Sequence, residues 1–455
     1  MIIYCDFSSS VKILLCTQQS LSFCLLFGNL IRPTMAMENN KNSNIVLQDV
    51  YFKHISLIEV EKRRKAEFFE FIQSRIVPLM KVKDILFTAM FQEVYHGGSY
   101  INGKRANNAY EYDMVLILKL PLETASSIAF SDNRCDPGFV TCHLKNDIQN
   151  SVSRKDSSKK ISQNLKEKIL LKTADGWILS PGGTRSWIDG LLRKSVTDAD
   201  LTSASQEFGI KNIQLKTSGN ALTLEATYII GHKVTVDIVP AYVFKCQEIF
   251  HLKIAGKDLK AYWTSNRPYQ YPEFTELTRY DDCFIYDTIY RKRPKNVLSA
   301  SHWRLDFVDM EKRLIYQHGC AKMVIELLEY FRDCNQEIQG LPSYALKTVV
   351  MLVIREYPSY SWNEANLSIC FLFALKKLQE KLNNRFIPFY FHPKSNILHI
   401  IAPADIFKMD CWLRKVLNKL HVANETAKSN GYWYAYFKQP SLLDLKNNND
   451  FKYVA

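Results

Sequence analysis

The stretch EYDMVLILKL, residues 111–120, constrains the fold more than any other part of this chain. Its apolar run is typical of a buried β-strand, and two acidic residues stand at the head of that strand. Side chains two positions apart on a strand project from the same face, so we expect the carboxylates of Glu111 and Asp113 to lie together. Oxygen ligands of this kind suit a divalent cation, and the stretch therefore predicts a metal site at the mouth of the strand.

The segment before that strand, HGGSYINGKR at residues 96–105, has two incompatible interpretations. It matches the start of a phosphate-binding P-loop, G-x-x-x-x-G-K, which ends at Lys104. A P-loop needs Ser or Thr directly after the lysine and then a helix, whereas Arg105 follows here and a strand comes next. The P-loop is thereby excluded. Gly98 and Ser99 instead predict a turn whose amide groups and hydroxyl can approach a phosphate closely.

A third carboxylate interrupts another apolar strand, VTVDIVPAYVF at residues 234–244. A buried charge such as that of Asp237 is very costly unless a cation or hydrogen bonds compensate it. A satisfied structural acid is the alternative to a metal ligand. A glycine-serine turn, an acidic pair and a later lone acid, in this order, are the pattern of metal-dependent nucleotidyltransferases. The pattern predicts that Glu111, Asp113 and Asp237 hold Mg²⁺, for which Mn²⁺ can substitute.

The rest of the chain predicts an α/β protein with a mixed-sheet nucleotidyltransferase lobe, of the polymerase-beta-like type, followed by a helical lobe. Residues 51–80 have a helical pattern, with Phe69, Ile72, Ile76 and Leu79 on one face. A β-hairpin is expected over residues 222–239, and a turn at residues 181–183 before a helix. We expect three parts: a disordered or spurious leader (1–44, with the true start at Met35 or Met37), a catalytic lobe with its N-terminal helix (45–300) and a helical lobe (301–455).

Charge and cysteine content narrow the partners and the compartment. The chain has 59 Lys and Arg against 46 Asp and Glu, a net charge of +13, which favours nucleic acid or an anionic membrane surface as partner. A basic protein with no such partner is the alternative. The 11 cysteines include no C-x-x-C pair, which indicates reduced thiols in the cytosol or the nucleus, and no Cys/His spacing predicts a zinc site. Between these compartments we expect the cytoplasm. Two basic clusters are candidate nucleic-acid contacts: Lys62, Arg63, Lys65, Arg75, Lys81 and Lys83 on or beside the first long helix, and Arg291, Lys292, Arg293 and Lys295.

Several stretches beyond the acidic trio resemble cyclic GMP–AMP synthase and the animal cyclic GMP–AMP synthase-like receptors. They are VTVDIVPA, SHWRLDFVDMEKRLI from residue 301, HGCAK from residue 318 and LPSYALKTVVMLV from residue 341. The resemblance implies that Gly98 and Ser99 contact donor phosphates. It also implies an acceptor pocket along Arg304, Asp306 and Glu311, and contacts from Ser343, Tyr344 and Lys347 to the other nucleotide, with Tyr344 stacked on its base.

Two departures from the vertebrate enzyme bear on these roles. His318-Gly319-Cys320 closes the gap in which the vertebrate enzyme carries a zinc-binding insertion, so the zinc module is missing. The following helix has Glu329 where the vertebrate pattern has a further lysine, which leaves Lys322 as the expected contact to the triphosphate.

The resemblance implies an innate-immune enzyme that makes a cyclic dinucleotide from ATP and GTP when a ligand binds. Two Mg²⁺ ions align the acceptor hydroxyl with the donor α-phosphate, and Asp237 helps to deprotonate that hydroxyl. A catalytically silent scaffold for nucleotide or RNA and an RNA-tailing transferase are the alternatives. Double-stranded RNA is the expected activator and double-stranded DNA the second choice, because relatives without the zinc module respond to RNA. No membrane contact is expected. Whether the ligand induces a dimer is left open by the sequence.

Overall fold

The computed structural model describes most of the chain. The described residues are 33–56, 59–96, 111–121, 128–131, 139–144, 158–174, 176–218, 221–245, 253–254, 257–258, 282–286, 302–306, 308–358, 360–390, 392–425 and 433–437.

A mixed sheet forms the centre of the first lobe. It comprises eleven of the strands in the described residues, and its main path runs β1-β2-β9-β12-β13-β4-β6-β5. Off this path, β3 pairs with β4, β8 pairs with β9, and β7 pairs with β8. The strands are β1 (Phe91–His96), β2 (Glu111–Leu118), β3 (Ile128–Ser131), β4 (Phe139–Leu144), β5 (Leu170–Thr173), β6 (Gly176–Leu179), β7 (Ile210–Ser218), β8 (Ala221–Tyr228), β9 (Lys233–Lys245), β12 (Asp282–Tyr286) and β13 (His302–Asp306). Two short pairs lie apart: β10 (Lys253–Ile254) with β11 (Lys257–Asp258), and β14 (Pro388–Phe389) with β15 (His392–Asn396).

Helices surround this sheet and build the second lobe. The first lobe has α2 (Glu59–Phe71), α3 (Val77–Lys83), α4 (Ile85–Met90), α5 (Ser158–Lys168), α6 (Pro181–Val196) and α7 (Ala199–Glu207). The second has α1 (Pro33–Val50), α8 (Val308–Tyr316), α9 (Ala321–Cys334), α10 (Ser343–Glu356), α11 (Leu367–Asn383) and α12 (Pro403–Glu425). The predicted α/β lobe and helical lobe are thus confirmed. One strand of the sheet, β13, lies after residue 301, so the sheet continues past the expected boundary.

The first long helix buries the face that its sequence pattern predicted. Phe69, Ile72 and Ile76 are at most 8% exposed, and all three belong to the main core. The helix passes through a π-helical turn, Ile72–Ile76, directly before α3. Pro78 follows that turn, and it lacks the amide hydrogen that a regular helix would use. The wider turn lets the chain continue as a helix to Lys83 despite this proline.

Asp84 fixes the corner between α3, α4 and the neighbouring helices. Its Oδ1 caps α4 by accepting hydrogen bonds from the amides of Leu86 and Phe87, at 2.8 and 3.0 Å. Its Oδ2 accepts from Lys168 Nζ at 2.6 Å and from Trp187 Nε1 at 3.0 Å. One carboxylate therefore holds α4, α5 and α6 together at the start of the sheet.

Helix α1 belongs to the fold, although the sequence placed residues 1–44 in a disordered or spurious leader. Ser43 is fully buried and Asn44 is 8% exposed. Asn44 donates to the carbonyl of Ala365 and accepts from the amide of Ser368 at 2.6 Å, so it joins α1 to the start of α11. Ser43 and Asn44 thus depart from the expected disorder, because a buried polar side chain with two backbone partners fixes this end of the helix. Residues 1–32 lie outside the described residues.

Two turns frame the strands near the site. The predicted hairpin is confirmed as β8 and β9, with Gly231 at a φ of 84°, which a glycine adopts without strain. The predicted turn at residues 181–183 is instead the first turn of α6, which Ser180 caps through the amide of Gly183 at 3.0 Å. Proline is favourable in a first helical turn, where its missing amide hydrogen has no partner to lose.

Candidate active site

The backbone register brings the predicted acidic residues to one place. Strands β2 and β9 are parallel neighbours in which Asp113 pairs with Asp237 and Glu111 pairs with Thr235. Adjacent strands lie about 4.8 Å apart, and paired positions share a face of the sheet. Positions 111, 113 and 237 therefore form one acidic row across two strands. The side chains of Glu111 and Asp113 lie outside the described side chains, so the row is defined here by the backbone.

Asp237 has a partner that sequence reasoning missed. Thr223 pairs with Asp237 across the β8–β9 hairpin, and its hydroxyl donates a hydrogen bond to Asp237 Oδ1. Asp237 is half-buried, and this hydrogen bond orients its carboxylate. The hairpin register could have revealed Thr223, since the turn at Gly231 determines which residues pair.

Below the acidic row, the same face of the sheet is apolar. Ile117 and Ala241 are at most 2% exposed and form a small cluster of their own, against which Tyr95, Val115 and Val243 pack. Met114 and Leu116, on the alternate positions of β2, belong to the main core instead. Both faces of β2 are therefore covered beyond its acidic head, which explains why the rest of the strand is apolar.

Helix α8 joins the helical lobe to this face of the sheet. Its Lys312 places Nζ 3.6 Å from the centre of the Tyr95 ring, a cation–π contact to β1. Burial, together with the positive charge of Lys347, lowers the pKa of Lys312 to about 8. No sequence pattern singles out Lys312, because only the fold brings it over β1.

Three of the predicted nucleotide-binding residues meet at Glu311. This carboxylate is 5% exposed, and its Oε1 accepts a hydrogen bond from the Tyr344 hydroxyl at 2.8 Å. Its Oε2 pairs with Lys347 Nζ. A buried acid that is satisfied by a lysine and a phenol fixes α8 against α10. The predicted acceptor segment and the predicted Ser343-Tyr344-Lys347 segment are thus in direct contact.

Aromatic stacking fixes the ring of Tyr344. It lies against Phe389 of the β14–β15 hairpin, with ring centroids 4.9 Å apart and an angle of 27° between the planes. Lys347 Nζ is 5.6 Å from the Tyr344 ring centre. Phe389 is a third residue that sequence reasoning missed, since the hairpin lies far along the chain from α10.

Ser343 is held by an arginine of the preceding helix. Arg332 Nη1 donates to Ser343 Oγ at 2.8 Å and to the carbonyl of Leu341 at 3.1 Å, while its guanidinium pairs with Asp333 at 2.6 Å. Ser343 is exposed, so its hydroxyl is accessible at the N-terminus of α10. The predicted Lys322 lies in the first turn of α9 and is half-buried.

Strand β13 carries two further predicted residues. Arg304 pairs with Tyr286 of β12 and with Phe139 of β4, and Asp306 pairs with Phe284. Trp303 beside them is fully buried and donates from Nε1 to the carbonyl of Leu179 at 2.9 Å. This anchor fixes the strand whose next helix carries Glu311 and Lys312. The side chains of Arg304 and Asp306, and all of Gly98 and Ser99, lie outside the described part of the chain.

The first basic cluster is only partly available to a polyanion. Arg63 and Lys81 are exposed, and Lys81 Nζ also lies 4.5 Å from the Phe91 ring centre. Arg75 pairs with Glu207 at 2.8 Å, and Lys83 pairs with Asp198. Both of these cations are already partly neutralised. The side chain of Lys62 and the whole second cluster, Arg291, Lys292, Arg293 and Lys295, lie outside the described residues.

Lys65 is a correction to that cluster. It is 3% exposed, because it precedes Phe69 by one helical turn and so lies on the buried face of α2. The sequence predicted that Lys65 contacts nucleic acid at the surface. That prediction is wrong, because the side chain is buried.

The described residues contain neither a complete metal site nor a membrane-spanning helix. Among them, no three His, Cys, Asp or Glu side chains come together in a way that could hold a metal ion. The side chains of Glu111 and Asp113 are not among those described, so the acidic row stays a predicted metal site. None of the described helices has the length and apolar composition needed to cross a bilayer.

Comparison with known proteins agrees with the two lobes. The Mab-21 protein nucleotidyltransferase domain matches residues 103–317, and the Mab-21 protein HhH/H2TH-like domain matches residues 320–415. The boundary between the two matches falls at the loop between α8 and α9. The chain is also similar to curated proteins named cyclic GMP–AMP synthase-like receptor from three beetles.

These relatives cover most of the chain at low identity. The protein of Tribolium castaneum is 25% identical over 369 residues, 79% of this chain and 84% of the relative. That of Aethina tumida is 27% identical over 391 residues, 84% and 88%, and that of Nicrophorus vespilloides is 25% identical over 386 residues, 83% and 93%. With its mixed-sheet lobe, its helical lobe and the matches to both Mab-21 domains, the chain belongs to the Mab-21 nucleotidyltransferase family, and over most of its length it is similar to the cyclic GMP–AMP synthase-like receptors.

Proposed function

We propose that this protein synthesises a cyclic dinucleotide of the cyclic GMP–AMP type from ATP and GTP, as a cytoplasmic second messenger of innate immunity. The observation that carries the proposal is the register of β2 and β9, which pairs Asp113 with Asp237 and places Glu111 two residues before it. Three acidic positions on one rigid face suit the charge of a metal-bound triphosphate. The match to the nucleotidyltransferase domain and the names of the relatives support the same activity.

The chain's own residues would divide the work between substrate and reaction. Asp237, oriented by Thr223, would accept the proton of the acceptor hydroxyl. Tyr344 would stack on a nucleobase with the ring face opposite Phe389. Ser343 and Lys347 would donate to phosphate oxygens, and Arg332 would keep Ser343 in place.

The donor set fits Mg²⁺ or Mn²⁺. Glu111, Asp113 and Asp237 provide carboxylate oxygens on adjacent strands, and hard divalent cations prefer such ligands. Bound Mg²⁺ would supply Lewis-acid stabilisation of the phosphoryl group and of the leaving pyrophosphate. The same set contains neither thiolate nor imidazole, which zinc sites usually use.

The product assay tests the proposal directly. Purified protein would be incubated with labelled ATP and GTP, Mg²⁺ and an activating nucleic acid, and the products separated by chromatography and identified by mass spectrometry. A cyclic dinucleotide supports the proposal. Linear products attached to RNA ends would identify a tailing transferase instead, and nucleotide binding without pyrophosphate release would identify a silent scaffold.

Double-stranded RNA is the proposed activator. The net charge of +13 and the exposed Arg63 and Lys81 on the first long helix and its extension support a sequence-independent contact to phosphates. Duplex RNA is bound mainly through its shape, its phosphates and its 2′-hydroxyls, so no base-reading motif is required. Double-stranded DNA is the second choice, and a dimer that forms on the duplex is compatible with this surface.

Charge reversal separates the activator site from the active site. Arg63→Glu and Lys81→Glu should weaken duplex RNA binding and reduce its dependence on salt, while Mn²⁺-supported activity without RNA stays. Lys408→Glu is the matched control, since Lys408 is 74% exposed on α12 and outside both predicted clusters. Equal product with double-stranded RNA, double-stranded DNA and no nucleic acid would rule out RNA as the activator.

A further inference from the structure

Lys312 lies close to the acidic row, although none of the recognised motifs includes it as a site residue. Its Nζ is 3.6 Å from the centre of the Tyr95 ring, and Tyr95 packs on the apolar cluster that continues the acidic face of the sheet. Tyr95 pairs with Val115 on β2, which is two residues along the strand from Asp113. Two residues of a strand span about 7 Å, so the tyrosine that the ammonium contacts lies beside the acidic row, about that distance along the sheet.

The surroundings of Lys312 favour an anion. Lys347 of α10 is close enough to act on its charge, and burial removes part of its hydration. Glu311, the acid beside it in sequence, is already used by Lys347 and by the Tyr344 hydroxyl. Two lysines that lie close together, on the side of the sheet that carries the acidic row, are suited to a ligand with several negative charges and bound metal.

We propose that Lys312 binds the phosphate groups of the nucleoside triphosphate whose metal ions the acidic row holds. The proposal rests on the proposed function, and it adds a phosphate ligand from α8 to those expected from α9 and α10. The lysine would approach the triphosphate from the helical lobe, whereas the acidic row belongs to the sheet, so the phosphates would bridge the two lobes.

A purely structural role is the main alternative. The aliphatic stem of Lys312 covers Tyr95 whether or not a nucleotide is present, and a cation–π contact by itself stabilises a protein modestly. A contact to duplex RNA is the other alternative, because a lysine near the surface of a basic protein also attracts nucleic acid. These roles predict different effects of the same substitutions.

Direct binding measurements distinguish the three roles without depending on turnover. Lys312→Met keeps the stem and removes the charge, Lys312→Arg keeps the charge, and Lys408→Met is the control on α12. Each variant would be titrated with a non-hydrolysable ATP analogue in Mg²⁺ by calorimetry, with adenosine by ligand-detected NMR, and with duplex RNA. Thermal unfolding would check that each variant is folded, and Lys312→Gln replaces Lys312→Met if the latter does not fold.

The expected result is a loss of analogue affinity of about ten- to hundredfold in Lys312→Met, the scale of a hydrogen bond to a charged group. Adenosine affinity should stay unchanged, and Lys312→Arg should recover most of the analogue affinity. Equal analogue binding by Lys312→Met and the wild type would overturn the proposal, as would a parallel loss of adenosine binding or a loss confined to duplex RNA. If the wild type bound the analogue but made no cyclic dinucleotide, the proposed function would fail while the role of Lys312 could still be judged.

Discussion

Asp113 and Asp237 are register partners on the parallel strands β2 and β9, and the Thr223 hydroxyl orients the second of these carboxylates. The pairing places two acids on neighbouring strands at the same height of the sheet. Like charges so close repel each other, and only a cation or a shared proton makes such a pair favourable. The relationship therefore leads to the first two predictions.

Asp237→Asn should abolish cyclic dinucleotide synthesis and leave the protein folded. The lost carboxylate would cost several kcal/mol of transition-state stabilisation, a fall in kcat of about a thousandfold or more. Glu111→Ala combined with Asp113→Ala should behave in the same way. Pyrophosphate release measures the effect, with Asp200→Asn, an exposed acid of α7, as the control. Wild-type turnover in either acidic-row variant would contradict the assignment.

Thr223→Val should lower kcat by about tenfold, because the half-buried carboxylate of Asp237 loses the hydrogen bond that orients it. Thr223→Ser retains a hydroxyl at the same position and should restore most of the activity. Steady-state kinetics would show whether kcat falls while the KM for ATP stays constant. Equal rates in the valine and serine variants would show that the bond does not orient Asp237 for the reaction.

Two substitutions of Tyr344 should separate the role of its ring in stacking from the role of its hydroxyl in the hydrogen bond to Glu311. Tyr344→Phe keeps the ring on Phe389 but removes a donor to the buried Glu311, so urea unfolding should show a loss of about 1–3 kcal/mol. Tyr344→Leu loses the aromatic face as well, and its KM for the stacked nucleotide should rise by about tenfold or more. If the phenylalanine and leucine variants had the same KM, Tyr344 would not stack on a base.

Binding of a non-hydrolysable ATP analogue should weaken as the pH rises through about 8, the lowered pKa of Lys312. A lysine is charged below its pKa, so the contact to phosphate is complete at pH 7 and is lost in the alkaline range. Burial, and after it the positive charge of Lys347 on α10, oppose the charge of Lys312 and lower its pKa. Calorimetry at pH 7 and pH 9 measures the difference. Lys312→Arg stays charged over this range and should show a much smaller one.

Asp84→Asn should destabilise the first lobe by about 1.5–3 kcal/mol at pH 7, because the carboxylate accepts charged and neutral hydrogen bonds from three helices. Burial works to raise the pKa of Asp84, but the hydrogen bonds from Lys168, Trp187 and the Phe87 amide outweigh it and hold the pKa below its ordinary value of 3.8. The stabilisation is therefore complete above that value and is lost as the pH falls through the folded pKa. Urea unfolding at pH 7 and at pH 3 should show the two proteins converging in acid. Asp405→Asn, at an exposed position of α12, is the control.

Local patterns in the sequence predicted the parts of the site that lie within single strands and helices. The acidic pair, the lone acid and the hairpin that carries it follow from period-two alternation and one glycine turn. The buried face of the first helix follows from helical spacing. Lys65 is nevertheless predicted at the surface because of its charge, although it precedes Phe69 by one helical turn and lies on the same buried face.

Contacts between distant segments could not be predicted from one sequence. Lys312 meets Tyr95, and Phe389 meets Tyr344, only because α8 and the β14–β15 hairpin fold over other elements. Composition alone also hid helix α1, since its polar sequence resembles a leader and only the partners of Asn44 on α11 reveal its place.

The contact between Asn44 and the start of α11 has a consequence for folding during synthesis on the ribosome. Asn44 and its partner Ser368 are 324 residues apart in the chain. At a synthesis rate of about 20 residues per second, the first helix would wait roughly 16 s for its neighbours, and several times longer at slower rates. During that interval Val46, Leu47 and Val50, all buried in the finished molecule, have no native surface to cover them. The helical lobe would therefore close only after α11 has left the ribosome, and its first helix would lack its native partners until then.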